Sequence, residues 1–289
     1  DIMRVYDNYI RNKPHVVTSF VPRGRADLIA DNSIPAGVQE EDAGNAAQVE
    51  IASIADQKVT LTPSGIDRTV EPPAGPEPEI KVPEVWQTQL ANGIKVSGIV
   101  NTEVPLASVA ITIEGGVLQD NVNLPGVASL TAALLPQGTK NKTPEELEEE
   151  ILLLGSSIGV NASREEIVMQ SGMLSRNFAL TVSLMKEILL EPRWDSTEFN
   201  VAVSRARNSI IQSEAQPRAV ASNTFYKLIY GNNHIFGYNT RGTRESIEKI
   251  TLEDLKSFYE RNFSPNVTRI SVVGNITREE ALEALKPLE

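Results

Sequence analysis

From Trp86 onward the chain switches between stretches of period two and stretches of helical period, and the pattern predicts its elements in order. Trp86-Gln-Thr-Gln-Leu-Ala-Asn-Gly93-Ile-Lys-Val-Ser reads as two strands around an Asn-Gly turn, the residue pair that accepts the left-handed backbone of a tight hairpin. Leu106 to Ile113 alternates again and is expected to pair with that hairpin. Gly126-Val-Ala-Ser-Leu-Thr-Ala-Ala-Leu-Leu reads as a short, almost wholly apolar helix, the signature of a core helix. Thr143-Pro-Glu-Glu146 follows as a helix start, with threonine at the cap, proline at the first position and glutamate three residues on. Ser156 to Arg164 and Glu166 to Leu174 predict two further antiparallel strands, and Phe178 to Leu190 a helix stopped by Pro192.

Asp195-Ser-Thr-Glu198 predicts another capping box, opening a helix to about Ala215, and Ala219 to Tyr230 the next, ended by Gly231. A short helix over Thr243 to Lys249 precedes one capped by Thr251 that runs through Phe258-Tyr259. Ser264-Pro-Asn266 turns into a strand ending at Gly274, and Thr277 starts the last helix. The order β-β-β-α-α-β-β-α-α-α-α-α-β-α implies an α+β fold, an antiparallel sheet with helices packed on one face, rather than a doubly wound parallel sheet.

Before Val85 the pattern is different. Tyr6 to Pro14 reads as a helix end and turn, and His15-Val-Val-Thr-Ser-Phe-Val-Pro22 as a strand. Arg25 to Pro83 has little period and is punctuated by prolines, most densely in Glu71-Pro-Pro-Ala-Gly-Pro-Glu-Pro78, which predicts an extended spacer. Within it Lys58-Val-Thr-Leu-Thr62 alone is strand-like. Because Asp1-Ile-Met-Arg opens inside an element, a fragment is expected: 1–24 the tail of a preceding domain, 25–84 a Pro-rich linker, 85–289 a folded domain.

Charge narrows the partners. The 289 residues carry a net charge of −11, which argues against nucleic acid or an anionic membrane, since both call for clustered Lys and Arg. No apolar run approaches the ~20 residues of a membrane span. With no cysteine there is no thiolate site, and only His15 and His234 could supply imidazole, so a catalytic zinc site within this chain is not expected. The acidic run Glu145 to Glu150 sits in the first turns of its helix, where the dipole favours it, and reads as a solvated face.

Around the apolar helix the sequence has a familiar frame. A strand ending in Glu114-Gly115-Gly116, the Gly126-Val-Ala start and the closing Gly138-Thr139 resemble the zinc-site segment of the M16 peptidases, the pitrilysin, insulinase and mitochondrial processing peptidase group. So do, in order, Leu90-Ala-Asn-Gly93, Tyr230-Gly231, Gly242-Thr243-Arg-Glu-Ser-Ile, Thr251-Leu-Glu-Asp-Leu-Lys-Ser-Phe-Tyr259 and Phe263-Ser-Pro-Asn266 leading into Ile270-Ser-Val-Val-Gly274. The resemblance covers about residues 85 to 289 and implies the two-layer sandwich of that family.

In active members the helix carries His-x-x-Glu-His, two imidazoles for zinc and a glutamate as general base. Those positions fall here on Ser129, Ala132 and Ala133, and the later glutamate ligand on Asn208 or Ser209, with Pro217 as the anchor. None of these can bind zinc or move a proton, so no catalytic and no metal residue is expected, and no cofactor in this chain. The resemblance implies the zinc-less second half of a two-halved zinc metallopeptidase: zinc in the first half, this domain as the opposite wall of a peptide chamber, a peptide as substrate, and the catalytic half as partner, on the same polypeptide or as a subunit. The alternative is a structural or partner subunit of an M16-like assembly without activity.

Other candidates are weaker. His234 stands in a Gly/Asn-rich loop with no acidic or imidazole neighbour in sequence, and no catalytic role is expected of it. Arg205 and Arg207, with Arg218 nearby, are read as helix surface charge rather than as a site for a peptide carboxylate. Serine-hydrolase, P-loop and dinucleotide fingerprints are absent.

Overall fold

The computed structural model describes residues 2–11, 13, 21, 28–29, 71, 75 and 82–289. The chain divides into two compact units, Asp1–Glu77 and Pro78–Glu289. In the first, helix α1 (Ile2–Tyr9) has no buried residue. The strand expected at 58–62, all of that expected at 15–22 except Val21, and most of the spacer expected at 25–84 lie outside the described residues.

The second unit follows the expected element order. Strands β1 (Trp86–Gln89), β2 (Lys95–Val100) and β3 (Leu106–Glu114) lead to helices α2 (Val127–Leu134) and α3 (Pro144–Leu153). Strands β4 (Ser157–Ala162) and β5 (Glu166–Leu174) precede α4 (Phe178–Leu190), α5 (Ser196–Glu214), α6 (Pro217–Tyr230), α7 (Arg244–Ile247) and α8 (Leu252–Asn262). β6 (Thr268–Gly274) and α9 (Arg278–Leu285) close it. The capping boxes at Thr143, Thr251 and Thr277 all form, each threonine hydroxyl accepting from the backbone N–H three residues on and each acidic partner reaching back. Asp195 caps α5 by accepting from Thr197 and Glu198, at 2.7 and 3.2 Å, but the reciprocal bond expected from the Glu198 side chain does not form.

Sheet order corrects one expectation. The six strands run β1-β2-β6-β3-β5-β4. β3 does not pair with the β1–β2 hairpin, because β6 lies between them, parallel to β2 and antiparallel to β3. The sheet is therefore mixed, with one parallel pair among antiparallel ones. β6 supplies Ile270 and Val272, both fully buried, and sits where a β-branched strand is flanked on both sides. A parallel partner needs a long crossover, so nothing local in the sequence reveals it.

Register builds the core. Val96, Ile270, Ile111, Met169 and Val160 stand side by side across five strands, and all but Val160 are nearly fully buried. This face packs under the helices: α2 lies against β4, α5 and α8, and α4 against β5 and α9. Alternate residues Ser108, Ala110, Gln170, Gly172 and Ser271 line a shallow groove on the other face. Among the described residues β4 pairs only with β5 and is one edge of the sheet. That edge, beside α2, is where the candidate site lies.

Candidate functional site

The apolar helix is held at its start by an acid from the preceding loop. Asp120 is buried, and its carboxylate accepts from the N–H groups of Gly126 and Ala128, both at 2.8 Å. Desolvation nevertheless pushes its pKa up to about 6, the backbone donors at Gly126, Ala128 and Val127 only partly opposing it. Gly126 takes φ of 111°, and a Cβ there would sit 2.8 Å from the carbonyl oxygen of Arg241, so the turn 239–242 rests directly on the helix start. Two hydroxyls fasten that contact: Ser246 donates to the carbonyl of Pro125 and Ser129 to that of Thr240, each at 2.7 Å.

Past the helix, Gly138-Thr139 makes a second tie. Thr139 donates to Glu187 Oε1 at 2.6 Å, and Lys142 Nζ meets Glu187 Oε2 at 2.7 Å. Desolvation drives the Glu187 carboxyl upward, but the bonds from Lys142, Thr139 and Asn141 outweigh it and hold it below the usual carboxylate range.

Between these ties lies a cavity of about 340 Å³, walled by α2, α5, β4 and the 239–242 turn. Four of the five positions singled out in the sequence line it: Ser129, Ala132, Ala133 and Ser209. The fifth, Asn208, is exposed and is not among the lining residues, so Ser209 is the position that shares a space with α2. Sequence reasoning missed the remaining polar lining. Gln137, Asn161, Glu198, Arg205, Thr240 and Arg241 also face the cavity, and only Arg205 among them was considered from the sequence. Glu198, freed from the capping box, is the one carboxylate among the described lining residues. Arg241 sits in a turn without any motif that would single it out.

Zinc does not fit these residues. Ser129, Ala132, Ala133 and Ser209 offer two hydroxyls and two methyl groups, and among the described residues no three His, Asp or Glu side chains are grouped to hold a metal ion. His234 is engaged elsewhere: its Nδ1 accepts from Phe236 N at 3.1 Å and its ring stacks on Tyr230, centroids 5.3 Å apart. His15 lies outside the described residues. Arg207 pairs with Glu248 at 3.2 Å.

Residues 96–240 match the family described as insulinase, peptidase family M16, and residues 249–288 match the M16 inactive domain. The chain belongs to peptidase family M16. Its M16 relatives include the mitochondrial-processing peptidase subunit beta of Blastocladiella emersonii, 26% identical over 205 residues, covering 70% of this chain and 43% of the relative. An uncharacterized zinc protease of Mycobacterium leprae is 22% identical over 202 residues, covering 70% of this chain and 45% of the relative. The crystal structure of a peptidase M16 inactive domain from Pseudomonas fluorescens superposes with a TM-score of 0.66 at 25% identity, covering 70% of this chain and 49% of that one. The chain thus spans less than half the length of these M16 relatives. Among the described residues no helix is long and apolar enough to cross a membrane.

Proposed function

We propose that this chain contributes a non-catalytic M16 domain to a larger zinc-dependent endopeptidase, and that the domain forms the wall of the peptide chamber opposite the zinc-bearing half. One observation carries the reading. The four positions that the family frame assigns to metal and base chemistry converge on one cavity while offering no imidazole or carboxylate among them.

The domain's work in such an assembly is positioning. Edge strand β4, beside the cavity, has one side without a strand partner among the described residues, so an extended peptide can add to the sheet there through main-chain hydrogen bonds. Holding a peptide extended in front of a distant reactive centre supplies orientation, a large part of the rate enhancement of any hydrolase. No proton or metal step falls to residues of this chain. The domain division that goes with the reading is a tail at 1–24, a linker at 25–84 and the M16 domain at 85–289.

The test is reconstitution. This chain alone should not cleave an unstructured fluorogenic peptide. Added to an M16 half from the same source that carries His-x-x-Glu-His, it should raise kcat/KM at least about tenfold, the scale of a lost positioning contact. Cleavage by this chain alone, or a zinc half fully active without it, would overturn the proposal. The latter result would favour the second reading, a structural or partner subunit without peptidase activity. That reading draws on the relatives named as subunits of a processing peptidase.

A further inference from the structure

We infer that the cavity beside α2 is a pocket for an acidic side chain of an extended peptide, with Arg205 and Arg241 as its anion-binding groups. The inference rests on the peptide-wall reading and names the residue such a wall selects.

Charge pairing is the first ground. Asp and Glu outnumber Lys and Arg 38 to 27, and several arginines have found them. Arg207 pairs with Glu248, Arg244 with Glu214, and Arg269 with both Glu114 and Glu166. Arg205 and Arg241 both line the cavity, yet neither guanidinium makes an ion pair or hydrogen bond to any described residue. Glu198, two turns before Arg205 on α5, leaves the lining with a net positive charge. A guanidinium presents a planar fork of donors matched to a carboxylate, and apolar walls such as Leu130 and Val160 concentrate its field.

Rigidity is the second. Arg241 rides on a turn closed by Gly242 N donating to Asn239 O at 2.8 Å and Arg241 N donating to Asn239 Oδ1 at 2.9 Å. That turn is fastened to α2 through Ser129 and pressed against Gly126. Arg205 lies on α5 one turn before Ser209 and lines the same cavity from that helix. The backbones that carry both arginines are thus fixed before an anion enters, and ordering on binding is confined to the side chains.

The third ground is register. Val160 on β4 is aligned with buried Met169, so it faces the helix layer, and it also lines the cavity. Side chains of a strand added beside β4 alternate between faces, and the one in the Val160 row would point into the cavity. A backbone that docks on the edge strand therefore delivers every second side chain to the helix layer, and one of them to the two arginines.

Fluorescence anisotropy with the full chain tests this. The probes are two short fluorescein-labelled peptides, amidated at the C-terminus and otherwise uncharged, one with a central glutamate and the other with glutamine there. The glutamate peptide should bind about tenfold more tightly, and the difference should shrink as salt is raised. R205Q and R241Q should each remove most of the difference, and E198Q should enlarge it, since it takes away the competing carboxylate. Both arginines are exposed, so melting temperatures close to wild type should show that these variants fold. Equal affinity for the two peptides would overturn the acidic pocket and leave the peptide wall standing. Binding of neither peptide would remove the wall and the pocket together. Discrimination that survives the double arginine variant would assign it to other cations and overturn the inference.

Discussion

The hydroxyl of Ser129 donates to the carbonyl oxygen of Thr240 at 2.7 Å, joining residues 111 positions apart. Ser129 stands where the family frame puts the first imidazole, and here it clamps the turn that carries Arg241. Replacing it with alanine leaves a part-buried carbonyl without that donor. Ser129→Ala should cost about 1 kcal/mol, read as a melting temperature lower by ~2–4 °C. It should also weaken the glutamate preference, because Arg241 loses its brace. An unchanged melting curve would mean that the bond is not made in solution.

Restoring the metal groups is a sharper trial of the cavity. Ser129→His, Ala132→Glu and Ala133→His combined with Ser209→Glu should create measurable zinc affinity, whereas the same set with Asn208→Glu should not, because Asn208 does not line the cavity. Ala132 is 2% exposed, so the larger side chains bring strain and desolvation, and the apo variant should melt below the parent. Zinc should recover part of that loss, since binding is linked to folding. Calorimetric melts with and without zinc decide it; no effect of zinc on the Ser209→Glu set would mean that the four positions do not surround a common point.

Asp120 should make stability depend on pH with an unusual sign. Its folded pKa, about 6, lies above the ordinary value of 3.8, so the folded state binds the proton more tightly. The associated stabilisation is fully present below about pH 4 and is lost as pH rises through 6, on the order of 3 kcal/mol in total. Asp120→Asn removes that term. The stability of wild type minus that of Asp120→Asn, from urea midpoints, should therefore fall between pH 4.5 and 7. A flat difference would show that the helix-start donors hold the carboxyl near its ordinary range.

Glu187 should act in the opposite direction. Its folded pKa is depressed, so its contribution is present above the unfolded value and is lost as pH falls through the folded one. Its side chain is 15% exposed and takes Lys142 and Thr139 as partners, so Glu187→Ala leaves Lys142 with only its longer pair to Glu150, at 3.5 Å, and the Thr139 hydroxyl without its acceptor. A loss of about 1–2 kcal/mol is expected near pH 7, smaller in acid. Chemical denaturation of Glu187→Ala at pH 7 and pH 3.5 checks both size and sign. Thr139→Ala should cost less, about 1 kcal/mol, because Lys142 remains.

Local rules were written legibly in the chain. A cap threonine with an acidic residue three positions on placed the starts of α3, α8 and α9, because a cap satisfies backbone donors a few residues away and needs nothing distant. Apolar period placed the strands and the buried helix α2, and the spacing from Gly138-Thr139 brought Ser129, Ala132 and Ala133 to notice. What required tertiary structure was every relation set by pairing across long stretches. β6 slides between β2 and β3 because sheet register is a contest among all strands, and Ile270 fills a place beside Val96 and Ile111 that no nearby residue could foretell. The choice of Ser209 over Asn208 is a matter of which side of α5 meets α2. The pairing of Arg205 with Arg241 across one cavity is likewise absent from any local pattern. Side chains 36 residues apart become neighbours only when a helix and a turn pack on the same edge of the sheet, and packing, unlike capping, is a property of the whole chain.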